Sequence, residues 1–137
     1  MERRLHRLFS VNAIQSHRDL IVWQKSVALV EQIYCLTANF PETETYHLVV
    51  QTTRAAASVA ANIAEGHARS SRKDYAQYLA VAKGSLMEVD TFLEIAQRLG
   101  YADPARLSAS FALIEEISKM LTVLRRRLLH PPPTCNL

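Results

Sequence analysis

Apolar residues recur at intervals of three and four through four long stretches of the chain, and residues that stop helices stand between the stretches. The first stretch opens at Asp19, a suitable N-cap, and runs to about Asn39. It carries one stripe of Leu20, Trp23, Val27, Val30 and Tyr34 and a second of Val22, Leu29, Ile33 and Leu36. Two stripes are wider than one bundle seam needs, so Val22, Leu29, Ile33 and Leu36 form a candidate face for another subunit. Phe40 and Pro41 end this helix and open the next, where Glu42 and Glu44 suit the positive end of the helix dipole. The second helix, to about Ala64, turns Leu48, Thr52, Ala55, Val59 and Ile63 inward beside Ala56, Ala60 and Ala64. Side chains this small predict a close approach to neighbouring helices.

Gly66 is the expected C-cap of the second helix, and Ser71 followed by Asp74 resembles a capping box at the start of the third. The third spans about Arg72 to Leu99, with Tyr75, Leu79, Ala82, Leu86, Val89, Leu93 and Ala96 facing inward, and Gly100 stops it. Asp103 and Pro104 begin the fourth, whose seam is Leu107, Phe111, Ile114, Ile117, Leu121, Leu124 and Leu128. Pro131, Pro132 and Pro133 end it. Helices of roughly 30 to 42 Å joined by short loops must run antiparallel to their neighbours. The expected fold is all-α, a single antiparallel up-down-up-down four-helix bundle over residues 19–129, with a basic arm at 1–18 and a Pro-rich tail at 130–137.

A chain of 137 residues accommodates one core but not two. No stretch approaches the roughly 18 apolar residues of a membrane helix, and Met1 to Phe9 lead into no signal-peptide core. Cys35 and Cys135 have no metal-ligand spacing and suit reduced thiols, so a cytoplasmic protein is expected. The formal charge is +3, and Arg3, Arg4, Arg7 and Arg18 set against Glu2 account for all of it. Affinity for polyanions must therefore come from this arm or from local clusters.

Two such clusters are Arg69, Arg72 and Lys73, beside the hydroxyls of Ser70 and Ser71, and Arg125, Arg126 and Arg127 near the end of the fourth helix. The first group sits at a helix N-terminus, where backbone donors suit a phosphate; the second suits the negative end of a helix dipole. Ser58, Asn62 and Glu65 share a helical face, and Ser85 with Glu88 makes a similar pair on the third helix. If the two faces meet, they form either a recognition or catalytic site or, as we favour, a hydrogen-bond network that fixes helix register. Glu44 and His47 are one half of a di-iron pattern without a second copy. No nucleophile, metal set or cofactor loop accompanies the carboxylates, so the chain is expected to be non-enzymatic, with no cofactor and no metal.

The blocks Asp19 to Val30 (DLIVWQKSVALV), Phe40 to Glu44 (FPETE), Arg54 to Gly66 (RAAASVAANIAEG) and Tyr78 to Glu88 (YLAVAKGSLME), continued by Leu99, Gly100 and Tyr101, carry a resemblance. Over roughly residues 17 to 128 the chain resembles the four-helix bundle proteins encoded in intervening sequences of bacterial 23S ribosomal RNA genes. The resemblance implies a small bacterial cytosolic protein without known catalytic activity, whose relatives form ring-shaped homopentamers. A distant branch is similar to accessory proteins of diversity-generating retroelements, which bind nucleic acid and a reverse transcriptase. Two departures stand out: Ala55 occupies a position where a second Arg often follows that of Arg54, and the long basic arm is atypical.

The expected function is that of a homo-oligomer, pentameric by the resemblance, binding RNA or DNA weakly through phosphate contacts from Arg3, Arg4, Arg7, Arg54, Arg69, Arg72 and Lys73. The alternative is a protein-binding scaffold without nucleic-acid contact. No membrane partner is expected under either.

Overall fold

The computed structural model describes residues 14–133, and these form four α-helices, two short 3-10 turns and no strand. The helices are α1 (Ile21–Thr37), α2 (Leu48–His67), α3 (Arg72–Arg98) and α4 (Pro104–Leu129). Side-chain pairs fix their directions. The Ser58 and Ser85 hydroxyls meet at 2.9 Å while Gly66 packs on Tyr75 and Tyr78, so α2 and α3 are antiparallel. Lys83 Nζ donates to Thr122 Oγ1 at 2.7 Å and Arg125 Nε to the Ala76 carbonyl at 3.3 Å, which makes α3 and α4 antiparallel. Lys25 bridges Glu116 at 2.8 Å and Ser110 Oγ donates to Gln32 Oε1 at 2.9 Å, closing the ring between α4 and α1. The fold is an up-down-up-down four-helix bundle.

The helix ends follow local chemistry, and three differ from the sequence expectation. Asp19 does not cap α1. It belongs to the 3-10 turn His17–Asp19, where its carboxylate accepts the Gln15 and Ser16 amides at 2.9 and 3.1 Å, while Ser16 Oγ accepts the Arg18 amide at 3.2 Å. This reciprocal capping box occupies Asp19, and α1 starts after Leu20 without a side-chain cap. The second helix likewise starts later than Pro41. Glu42–Glu44 form a 3-10 turn because Glu44 is held by Tyr101, whose hydroxyl donates to it at 3.0 Å, and by the Leu48 amide at 3.3 Å.

Gly66 is not a C-cap. It lies inside α2, where an added Cβ would come within 2.8 Å of Tyr78 Cβ and 2.9 Å of Tyr75 Cδ2. The glycine is needed for the approach of α3. Three ends match expectation: Ser71 Oγ accepts the Asp74 amide at 3.0 Å, Asp103 Oδ1 the Arg106 amide at 2.9 Å, and Gly100 turns α3 off at φ 75°.

The core also corrects the reading of α1. Val22, Leu29, Ile33 and Leu36 are buried in the bundle together with Val59, Ile63, Leu86 and Ile117, so no second chain can reach them. The flank left outward is the other stripe, with Trp23, Val27 and Val30 half-buried and Tyr34 exposed. Periodicity reveals two stripes but not which one faces in. The inward one also carries Ser26 and Thr37, whose hydroxyls donate to the Val22 and Ile33 carbonyls at 2.7 and 2.8 Å and so enter the core satisfied.

The α2–α3 contact generates a stability prediction. Gly66→Ala should cost about 1 to 3 kcal/mol, the usual penalty for overpacking a closed contact, because Tyr78 Cβ is fixed to the α3 backbone and cannot swing aside. Chemical denaturation of the two proteins measures it, and an unchanged midpoint would show that the helices separate freely there.

Candidate functional site

The antiparallel order brings the start of α1, the end of α2, the start of α3 and the end of α4 to one end of the bundle. Arg18, Arg69, Arg72, Lys73, Arg125, Arg126 and Arg127 all lie there, with His17, His67 and His130. The acids nearby are Asp19, Glu65 and Asp74. The opposite end holds Glu42, Glu44, Glu94, Arg98, Asp103 and Arg106, so the charge is polarised along the bundle axis.

Aromatic rings hold two of the guanidinium groups. Arg69 lies over the Tyr78 ring at 4.7 Å and donates to its hydroxyl, and Arg18 sits 5.7 Å from the Trp23 ring centre. His17 and His67 stand edge-on to Trp23 and Tyr75, at 5.0 and 5.9 Å between ring centres. These contacts order the side chains while leaving the charges exposed. Among the described residues the ion pairs are Lys25–Glu116, Arg98–Glu94 and Lys119–Glu115, and none involves a cation named at the basic end. Cations that form no ion pair among the described residues are available to an external anion. Arg72 and Lys73 also occupy the first turn of α3, where backbone N–H groups point outward.

Arg54 does not join this group. It is exposed in the second turn of α2, and fifteen residues at 1.5 Å each place it roughly 20 Å from Arg69. Arg3, Arg4 and Arg7 lie outside the described residues. The residues that sequence reasoning left apart are Arg18 and Arg125 to Arg127; only the direction of the helices shows that they converge with Arg69, Arg72 and Lys73.

The polar cluster divides. Asn62 Nδ2 donates to Ser58 O at 2.8 Å and Ser58 Oγ at 3.0 Å, which completes a network with Ser85 across the α2–α3 seam. Glu65 is exposed and outside it. Glu88 lines, with Arg54, Ser58 and Ser85, an open groove of about 320 Å³. Among the described residues no three of His, Cys, Asp and Glu gather as a metal site, and Glu44 is engaged by Tyr101 and Leu48 rather than by His47. The Tyr75 hydroxyl is buried without a partner among the described residues, and desolvation raises its pKa. Tyr101 is also raised, first because its proton is donated to Glu44.

Fold and site together define a small helical bundle with one basic end. Residues 18–123 match the model of the 23S rRNA-intervening sequence protein family, and the chain belongs to that family. A crystal structure of a protein of unknown function from the S23 ribosomal protein family of Bacteroides thetaiotaomicron is similar to it. That structure superposes with a TM-score of 0.70 at 26% identity, covering 77% of this chain and 99% of the other. No curated protein shows significant sequence similarity to the chain. No helix among the described residues is long and apolar enough to cross a membrane.

Asp19 anchors the entry to the basic end, and its pKa is lowered by the Gln15 and then the Ser16 amide, with His67 adding a smaller attraction. A depressed folded pKa means that the stabilisation is complete above the ordinary carboxylate range and lost as pH falls through the folded value. Carbon-detected titration of the Asp19 carboxyl should give a midpoint below the usual value, and Asp19→Asn should remove the acid dependence of order at residues 15–19. An unshifted midpoint would show that the capping box is not kept in solution.

Proposed function

We propose that this protein is a non-catalytic, cytoplasmic homo-oligomer, pentameric as its family resemblance implies, that binds RNA or DNA through phosphate contacts at its basic end. The observation that carries the reading is the gathering, by the antiparallel topology, of cations from four chain segments that form no ion pair among the described residues. Arg69, Arg72 and Lys73 supply the centre, Arg126 and Arg127 extend it, and the chain before Ile14, with Arg3, Arg4 and Arg7, joins the bundle at the same end. Arg54 lies outside this surface, so it leaves the proposal.

Self-association is supported by exposed apolar residues on the α3–α4 side, Met87 and Leu129, which line an open groove of about 610 Å³. Gly84 lies in the same groove with nothing within 4 Å of the place a Cβ would take, so a partner helix can approach its backbone. The candidate oligomer face thereby moves from α1 to α3 and α4. A protein-binding scaffold is the second reading, since the same face would accept a different chain.

Anisotropy titration of labelled single-stranded RNA should show binding that weakens steeply with salt and has little sequence preference. Arg72→Glu with Lys73→Glu, and separately Arg126→Glu with Arg127→Glu, should weaken binding roughly tenfold or more and flatten the salt slope by about 0.7 for each phosphate no longer neutralised. Arg98→Glu with Arg106→Glu, at the acidic end, should change little. Absence of binding at low salt, or equal weakening from changes at both ends, rules the phosphate reading out in favour of the scaffold.

Light scattering tests assembly separately. The purified chain should give a mass several times its 15.5 kDa, and Met87→Asp should lower it without loss of helix. A monomer mass at every concentration would remove the oligomer from the proposal.

A further inference from the structure

The groove of about 320 Å³ along the α2–α3 seam is not used by the polyanion surface, since Arg54 lies outside the basic end. The Ser58–Ser85 contact sets its register. Because α2 and α3 are antiparallel, Arg54, four residues before Ser58, and Glu88, three residues after Ser85, fall on the same side of the hydroxyl pair, one turn along. Val50 and Phe92 follow about one further turn in the same direction. The groove therefore has hydroxyls at one end, a cation facing an anion in the middle and half-buried apolar side chains at the other end.

Three features point to a ligand. Arg54 and Glu88 carry opposite charges into one groove, yet they form no ion pair among the described residues, and both are exposed. Their charged groups stand apart with room between them. The hydroxyls, secondly, have a donor to spare. Asn62 Nδ2 donates to Ser58 Oγ, and Ser58 and Ser85 carry two hydroxyl protons for the single bond between them. The second proton has no acceptor among the described residues, and Ser85 is buried at 8% exposure at the base of the groove. The volume, thirdly, is at the small end of the roughly 300 to 1,000 Å³ typical of ligand clefts, which suits a compact molecule.

We propose that this groove binds a free α-amino acid with an apolar side chain. The ligand carboxylate lies on the planar fork of Arg54, which takes both oxygens, and receives the spare hydroxyl proton of the serine pair. The ligand ammonium lies on Glu88, and its side chain covers Val50 and Phe92. In an α-amino acid one carbon joins the two charged groups, so a single small molecule spans the gap between guanidinium and carboxylate. The pair also selects against half-matches. Glu88 repels an anion that brings no ammonium, and Arg54 repels a cation that brings no carboxylate, so phosphates and polyamines are disfavoured where a zwitterion fits. Asn62 is a positioning residue, fixing Ser58 from the far side without lining the groove. The proposal is independent of polyanion binding.

The test is an NMR titration of the full chain with L-leucine, and in parallel with 4-methylpentanoate and isopentylamine, which lack its ammonium and its carboxylate respectively. L-leucine should shift the methyl signals of Val50 and Ala55 and the amides of Ser85 and Phe92 to saturation, leaving the core methyls of Ile33 and Ile117 in place. Each half-ligand should bind weaker by roughly tenfold or more, as loss of a bond to a charged group implies. Arg54→Gln and Glu88→Gln, both at exposed positions, should weaken L-leucine by a similar factor while the unliganded spectra stay folded, and Arg98→Gln at the far end should not. No saturable shift with L-leucine overturns the proposal. So does binding of either half-ligand as tightly as the whole, or unchanged binding by the Arg54 and Glu88 variants. Groove signals that move on dilution of the unliganded chain assign the groove to a second copy and overturn it equally.

Discussion

Reversal of direction at each short connection is the constraint on which the rest of this structure depends. Residues 68–71 and 99–103 are too few to carry the chain back along a helix, and residues 38–47 are folded into the turn at Glu42–Glu44, so each helix returns beside the one before it. Packing then needs complementary faces, and the tightest is between α2 and α3. There Ala56 and Ala60 present little bulk, Gly66 presents none, and the backbones come together at Tyr75 and Tyr78. The Ser58 and Ser85 hydroxyls that enter this seam meet each other, so neither of the two is stranded there.

The same reversal turns a nearly neutral body into a polarised one. At physiological ionic strength the screening length is about 8 Å. The 27 residues of α3 span roughly 40 Å, so charges at its two ends do not sense each other. Net charge is therefore a poor guide to what this surface attracts. What matters is that Arg18, Arg69, Arg72, Lys73 and Arg125 to Arg127 share an end, and that none of them is neutralised by an ion pair among the described residues. The aromatic supports under Arg18 and Arg69 reduce the ordering that a bound phosphate would otherwise have to impose.

Much of the fold was legible because the features that specify it are local. Ser71, Gly100, Asp103 and Pro104 act within one turn of their own positions, and the inward series of the second, third and fourth helices follow from spacing alone. The failures share a different origin. Asp19 and Glu44 look like residues of helix starts, but Asp19 is claimed by the capping box with Ser16 and Glu44 by Tyr101, 57 residues away along the chain. Gly66 carries the composition of a C-cap, whereas its role is to admit two tyrosines from the next helix. On α1 the inward stripe also carries Ser26 and Thr37, polar residues whose bonds to their own helix conceal them from a pattern of hydrophobicity.

The candidate site was legible only as parts, for a reason the geometry makes plain. Arg69 to Lys73 and Arg125 to Arg127 are separated by the full lengths of α3 and α4, and sequence spacing treats them as independent clusters. One is set at a helix start and the other at a helix end, so dipole arguments even assign them opposite partners. Antiparallel packing removes that distinction by placing starts and ends side by side. The dipoles of neighbouring helices then largely offset each other, and the side-chain charges remain as the dominant field at this end of the bundle. An oligomer would repeat this end once per subunit, and contacts individually weak would act together on a single long polyanion through their effective concentration. Affinity in such an arrangement comes from the geometry of repetition rather than from any one arginine, which suits a surface of solvated cations set on the open end of a bundle.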